Sequence, residues 1–191
     1  MDRNISDKEE SPFRGLGFLE NLKNITTFIF DIDGVLTDGT VLAAESGELL
    51  RSFNTKDGYA LQLAAKKGYN ICIISGGKGA AINKRFESLG VADVFLGVEE
   101  KIDIFNNYIN QKGISPEQVL YMGDDIPDAE VMKLVGIATC PADAVEEIKA
   151  ISHYMSPKDG GKAAARDVIE KVLKVQLNWH GNTPSAAEAS K

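Results

Sequence analysis

The sequence predicts an α/β protein, a doubly wound parallel sheet with helices on both faces and a β-hairpin inserted after the first strand. Short, wholly apolar runs such as Ile71–Ile74 and Val119–Met122 have strand length but no polar alternation, the pattern of strands covered on both sides. Between them lie stretches of helical periodicity, for example Ile102, Phe105 and Ile109. Acidic and glycine-containing motifs follow the ends of strands, where parallel sheets bind ligands.

The elements follow in order. Residues 1–12 are polar, and residues 13–23 carry Phe13, Leu16, Phe18, Leu19 and Leu22, which predict a short helix. Thr26–Phe30 is β-branched and aromatic and stops at Asp31, a first strand. Thr40–Ala44 and Glu48–Phe53, parted by Glu45-Ser46-Gly47, predict the hairpin. Helices are expected over Tyr59–Lys67, ended by Gly68, and over Lys78–Leu89, ended by Gly90. The strands expected beside them are Ile71–Ile74 and Val94–Leu96. Further on come a helix over Lys101–Gln111, a strand over Val119–Met122, a short helix over Ala129–Val135 and a strand over Ile137–Thr139. A helix over Ala144–Ile151, a weak strand at Tyr154–Met155 and a last helix over Ala163–Leu177 complete the order. The tail from His180 is polar and rich in small residues, and is expected to be disordered.

The chain of 191 residues suits one domain, expected over 24–177 with the hairpin at about 38–54, an N-terminal extension over 1–23 and a tail over 178–191. An apolar fraction of 43% and a charged fraction of 26% are ordinary for a soluble domain. No apolar run is long enough to span a bilayer, and the first ten residues lack a signal-peptide stretch, so a cytoplasmic protein without a membrane partner is expected. Cys72 and Cys140 lie in apolar runs and are expected to be buried free thiols. His153 and His180 have no metal-ligand spacing, which disfavours a zinc enzyme or a serine triad. A net charge of −7 argues against a nucleic-acid partner, yet leaves room for an anionic substrate where a cation governs one small site.

Asp31-Ile32-Asp33-Gly34 follows the first strand, and Gly123-Asp124-Asp125, with Asp128, follows Leu120-Tyr121-Met122. Acids at the end of a buried strand are destabilising unless solvated, paired or bound to a cation. If the two strands are neighbours, several carboxylates converge, and hard oxygen ligands suit Mg²⁺. Asp125 or Asp128 could equally cap a helix. Ser75-Gly76-Gly77-Lys78 ends another strand and turns its amides toward an anion. Lys101 opens a helix; a lone lysine reads as a surface charge, and only its place in the order gives it weight.

That order of acidic pair, Ser-Gly, lysine and Gly-Asp-Asp resembles the haloacid dehalogenase superfamily. The resemblance implies a Rossmann-like core and an aspartyl-phosphate mechanism, with Asp31 as nucleophile and Asp33 as general acid and base. It implies a Mg²⁺ ion held by Asp31, the backbone carbonyl of Asp33, and Asp124. Ser75 and Lys101 would stabilise the transferred phosphoryl group, and Asp125 or Asp128 would hold Lys101 or a metal-bound water. An acid at Asp33 favours a phosphatase over a dehalogenase, since an alkoxide leaving group needs a proton and a halide does not. The gaps between Asp31 and Ser75 and between Lys101 and Asp124 are too short for a cap domain.

Within the superfamily, Asp33-Gly34-Val35-Leu36-Thr37-Asp38-Gly39, Phe53-Asn54-Thr55-Lys56-Asp57-Gly58-Tyr59 and Gly160-Gly161-Lys162 resemble the capless sugar-acid phosphatases. These act on 3-deoxy-D-manno-octulosonate 8-phosphate in lipopolysaccharide synthesis, or on nine-carbon sialic-type acid 9-phosphates. The resemblance implies a sugar-acid phosphate substrate and a homotetramer whose subunits complete one another's sites. It makes Gly76, Lys78, Arg85, Lys56 and Lys162 candidates for holding the substrate. After Ser75-Gly76 the eight-carbon enzymes usually carry Arg and the nine-carbon enzymes Glu; this chain carries Gly77, with Lys78 next to it as an alternative cation. A broader sugar phosphatase, a phosphotransferase and a non-catalytic oligomerisation module are the remaining readings. The module is disfavoured because Asp31, Asp33, Ser75, Lys101 and Asp124 are all present.

Overall fold

The computed structural model describes residues 18–179; Phe13, Leu16 and the tail from His180 lie outside them. Among the described residues eight strands form, numbered in chain order: β1 (Thr27–Phe30), β2 (Leu42–Ala43), β3 (Leu49–Leu50), β4 (Asn70–Ser75), β5 (Asp93–Leu96), β6 (Val119–Met122), β7 (Ile137–Cys140) and β8 (Tyr154–Met155). Six of them make one parallel sheet in the order β5-β4-β1-β6-β7-β8. β2 and β3 pair antiparallel in a separate two-stranded sheet, with Leu42 opposite Leu50 and Ala43 opposite Leu49.

Helices α1 (Phe18–Asn24), α2 (Thr55–Lys66), α3 (Ala80–Glu87) and α7 (Ala164–Val175) cover one face of the sheet. They bury Phe28, Phe30, Ile71, Ile73, Leu120 and Met122. Helices α4 (Lys101–Lys112), α5 (Ala129–Met132) and α6 (Glu146–Ile151) cover the other, over Ile29, Cys72, Ile74, Val119 and Tyr121. Successive strand residues point to opposite faces, so runs covered on both sides must be apolar throughout. Each aliphatic or aromatic side chain buried this way contributes about 1.5–3 kcal/mol. Cys72 and Cys140 are buried free thiols, as expected.

The expected element order holds, and the ends differ for local reasons. α2 begins at Thr55, four residues early, because Asn54 caps it: its side-chain oxygen accepts the Lys56 N–H at 2.9 Å. α5 has only four residues, preceded by a 3₁₀ turn over Ile126–Asp128 that contains Pro127. The hairpin strands shrink to two residues each and are exposed, since an unsupported two-stranded sheet is marginal. Between Asp31 and Ser75 lie only the hairpin, α2 and β4 itself; between Lys101 and Asp124 lie only α4, a 3₁₀ turn at Pro116–Gln118 and β6. The described residues include no cap domain.

The chain leaves β1 across the first face and leaves β6 across the second. The carboxyl ends of these adjacent strands therefore open a crevice, where ligands of such sheets bind.

Candidate active site

Asp31 is the first residue beyond β1, and its N–H continues the ladder to the Met122 carbonyl at 3.1 Å. Asp124 stands two residues beyond β6, the neighbouring strand. Gly34 lets the two meet. It has φ +88°, and a Cβ on it would lie 1.9 Å from the Asp124 carboxylate, so no other residue fits. Asp31, Asp124 and Asp128 bring carboxylate oxygens within 4.8 Å of one another.

Lys101, the first residue of α4, points into this cluster. Its Nζ lies 2.7 Å from Asp128 Oδ1 and 3.1 Å from Asp31 Oδ1, with 6% of its side chain exposed. It is a buried, ion-paired cation rather than the solvated charge that a lone lysine suggests. Asp128 also accepts the Tyr121 hydroxyl at 2.5 Å and the Asp124 N–H at 3.2 Å. Ser75 ends β4, is buried, and accepts the Gly77 N–H at 3.1 Å.

Burial pushes the Asp31 carboxyl up to about 6 against the pull of Lys101, and the charge on Asp128 adds to the rise. Burial, then the charges of Asp31 and Asp128, push Asp124 up to about 8. Burial alone would lower the Lys101 ammonium, but Asp31 and Asp128 outweigh it and hold it above its ordinary value. Two buried carboxylates that resist ionisation together call for a cation. Asp124 Oδ1 is buried without a hydrogen bond, and Asp31 Oδ1 has the Lys101 ammonium as its neighbour. These hard oxygen atoms fit a divalent cation such as Mg²⁺.

A cavity of about 330 Å³ opens over the cluster. Asp31, Asp33, Ser75, Gly76, Lys101, Asp124, Asp125 and Asp128 all line it, so the structure brings the core motifs and Gly76 together. Asp125 caps the 3₁₀ turn, accepting the Ile126 N–H at 2.8 Å, while Asp128 holds Lys101.

The cationic candidates lie elsewhere. The exposed Lys78 lays its stem across Gly97, the Arg85 guanidinium packs on Gly58 of α2, and Lys56 is exposed in the first turn of α2. Lys162 lines a second cavity of about 300 Å³ with Asp38, Asn54 and Thr55. The Gly160–Gly161 segment docks on the loop after Asp31: Gly161 N–H donates to Val35 O at 2.9 Å, and Asn54 Nδ2 donates to Gly161 O at 3.0 Å.

Sequence reasoning missed Arg51, Tyr121 and Asp57. Arg51, beside the hairpin, grips both oxygens of Asp33, Nε to Oδ1 at 2.7 Å and Nη2 to Oδ2 at 2.9 Å. In sequence it looks like any surface charge. Tyr121 gave a usable signal, because a hydroxyl in a fully buried strand needs a partner.

A parallel α/β sheet with a carboxylate cluster, a buried lysine and a Ser-Gly turn at one end of its strands has the parts of a hydrolase of phosphate esters. Residues 98–166 match the family of haloacid dehalogenase-like hydrolases. The 3-deoxy-D-manno-octulosonate 8-phosphate phosphatase KdsC of Salmonella typhi is 34% identical over 154 residues, 81% of this chain and 82% of that protein. The phosphatase of the same name from Yersinia pestis has a crystal structure that superposes with a TM-score of 0.83 at 31% identity, covering 85% of this chain and 88% of that one. A Moraxella catarrhalis structure, solved with magnesium, phosphate and a KDO molecule, gives a TM-score of 0.83 at 30% identity, covering 86% and 95%. The chain belongs to the haloacid dehalogenase-like hydrolases.

Proposed function

We propose that this hydrolase removes the phosphate of 3-deoxy-D-manno-octulosonate 8-phosphate, releasing the free sugar acid for lipopolysaccharide precursor synthesis. The observation that carries the reading is the convergence of Asp31, Asp124, Asp128 and Lys101 beside Ser75 at the bottom of one cavity. The similarity to phosphatases of that name supports the substrate.

Asp31 attacks phosphorus, the bond from phosphorus to the sugar oxygen breaks, and Asp33 gives its proton to that oxygen. A water, losing its proton to Asp33, then attacks the aspartyl-phosphate. The bond from phosphorus to Asp31 breaks and inorganic phosphate leaves. Lys101, held by Asp128, offsets charge on the phosphoryl oxygens, and the Ser75 hydroxyl, which lines the same cavity, donates to them in this reading. Asp31, the Asp33 carbonyl and Asp124 would hold Mg²⁺, which supplies Lewis-acid neutralisation of the phosphate dianion. A homotetramer in the cytoplasm, with neighbouring subunits completing each capless site, belongs to this proposal.

Gly77 matches neither subgroup and so does not separate them, which keeps a nine-carbon acid 9-phosphate as the second reading. Phosphate release is measured from both acids and from a generic phosphate ester, with Mg²⁺ and with EDTA. The proposal expects metal-dependent turnover with kcat/KM highest for the eight-carbon acid. Preference for the nine-carbon acid supports the second reading, and no metal-dependent release from any of the three defeats both. Asp31→Asn is expected to lower turnover by roughly 10³-fold or more without changing the fold. Near-normal turnover in that variant would sink the aspartyl-phosphate mechanism.

A further inference from the structure

The residue pair that the motifs do not explain is Arg51 with Gly77. Arg51 follows β3 directly, and its side chain is 5% exposed. Its three nitrogens are all engaged: Nε and Nη2 on the two oxygens of Asp33, and Nη1 on Leu49 O at 3.2 Å. Gly77 makes room for this. A Cβ at position 77 would lie 3.0 Å from Arg51 Nη2, 3.2 Å from Asp33 Oδ2 and 3.3 Å from Ser75 Oγ. Any side chain there would crowd the guanidinium against Asp33. The cation that the turn after Ser75 lacks is therefore delivered to the same spot from the hairpin.

The arrangement has a chemical consequence. Asp33 must present an oxygen to the leaving group, yet both its oxygens are clasped by one planar fork. Opening the pair would free the lone pairs that the fork occupies and the proton site that Asp33 needs. A guanidinium fork leaves one carboxylate most readily for another, because the incoming group replaces both hydrogen bonds and the charge. Asp33, 31% exposed and lining the cavity, is the accessible side of the pair.

We propose that Arg51 determines specificity: its guanidinium, parked on Asp33 in the free protein, docks the carboxylate of the sugar acid, and this exchange releases Asp33 to the leaving oxygen. The second half rests on the phosphatase reading above; the first half, carboxylate recognition by Arg51, does not. The hairpin thereby couples the arrival of an acidic substrate to the readiness of Asp33.

The test compares the wild type with Arg51→Ala and Arg51→Lys on two substrates, the sugar-acid phosphate and a neutral sugar phosphate of similar length. Binding of the free, phosphate-less sugar acid is measured by calorimetry in parallel, and circular dichroism checks the fold of each variant. For Arg51→Ala, kcat/KM is expected to fall at least 10-fold on the acidic substrate and to rise on the neutral one, since Asp33 is no longer clasped. Free sugar acid should bind about 10-fold more weakly, and Arg51→Lys should recover part of the loss. Equal falls on both substrates would show that Arg51 only holds Asp33 in place, and would overturn the proposal. Unchanged binding of the free acid would overturn it as well. If the wild type releases no phosphate but loses affinity for the free acid on Arg51→Ala, the phosphatase reading fails while carboxylate recognition by Arg51 stands.

Discussion

Lys101 sits between two carboxylates with almost no access to water, so its charge, theirs and the shape of the site depend on one another. A buried pair is weak evidence of net stabilisation, but removing one partner leaves the other charged and unsolvated. Lys101→Ala would strand Asp128, which is buried and would keep the Tyr121 hydroxyl and backbone amides but no cation. We expect a loss of about 3 kcal/mol in urea unfolding without divalent metal. Combining it with Asp128→Asn should recover part of that loss. Equal stabilities for Lys101→Ala and the wild type would mean that water reaches the cluster. Arg51 and Asp33 show the same interdependence nearer the surface.

Asp57 works at the scale of the element. It lies in the first turn of α2, yet it caps α7: its Oδ1 accepts the Arg166 N–H at 2.7 Å, where Ala163 offers no side-chain cap. With Asn54 on Gly161, one turn of α2 ties down the segment that carries Gly160, Gly161 and Lys162. Burial pushes the Asp57 carboxyl up to about 6, and Asp57 Oδ2 is buried without a partner. The folded chain therefore holds this proton more tightly than the unfolded chain, whose carboxyl titrates near 4. The resulting stabilisation is complete below about pH 4 and is lost as pH rises through about 6. An asparagine side chain in place of Asp57 would keep the accepting oxygen without the titration. The Tm of Asp57→Asn relative to wild type should therefore rise between pH 4 and pH 7, by at most the equivalent of ~2–3 kcal/mol. A constant difference across that range would show that Asp57 does not titrate there. Asp57→Ala should destabilise by about 1–2 kcal/mol, the ordinary value of a lost cap.

At the scale of the molecule, the hairpin stands apart from the three layers. Val41, Leu42, Leu49 and Leu50 are exposed on it. Neighbouring apolar residues on a two-stranded ribbon are poorly explained by a monomer. The proposed homotetramer would bury them and would fix the segment that carries Arg51 to Asp33. Leu42→Glu with Leu49→Glu should give a smaller species than wild type in sedimentation equilibrium, with reduced turnover of the acidic substrate. A wild type that sediments as a monomer at working concentration would remove the hairpin as an assembly surface.

The sequence by itself determined the element order, the parallel sheet, the absence of a cap and the end of the sheet where chemistry gathers. Those features follow from local pattern: apolar runs of strand length, helical periodicity, and acids placed just past Phe30 and Met122. It also named Asp31, Asp33, Ser75, Lys101 and Asp124, all of which reach one cavity. The resemblance, not the local pattern, made Lys78, Arg85 and Lys56 candidates for the substrate; within one chain a long side chain goes where packing leaves room, and theirs go to Gly97, to Gly58 and to the surface. Only the tertiary structure decided that Arg51 clasps Asp33, that Asp57 caps α7 and that Asp128, rather than Asp125, holds Lys101. Each of those bonds joins different elements, and its existence depends on how two surfaces pack, which the residues next to it in the chain do not encode.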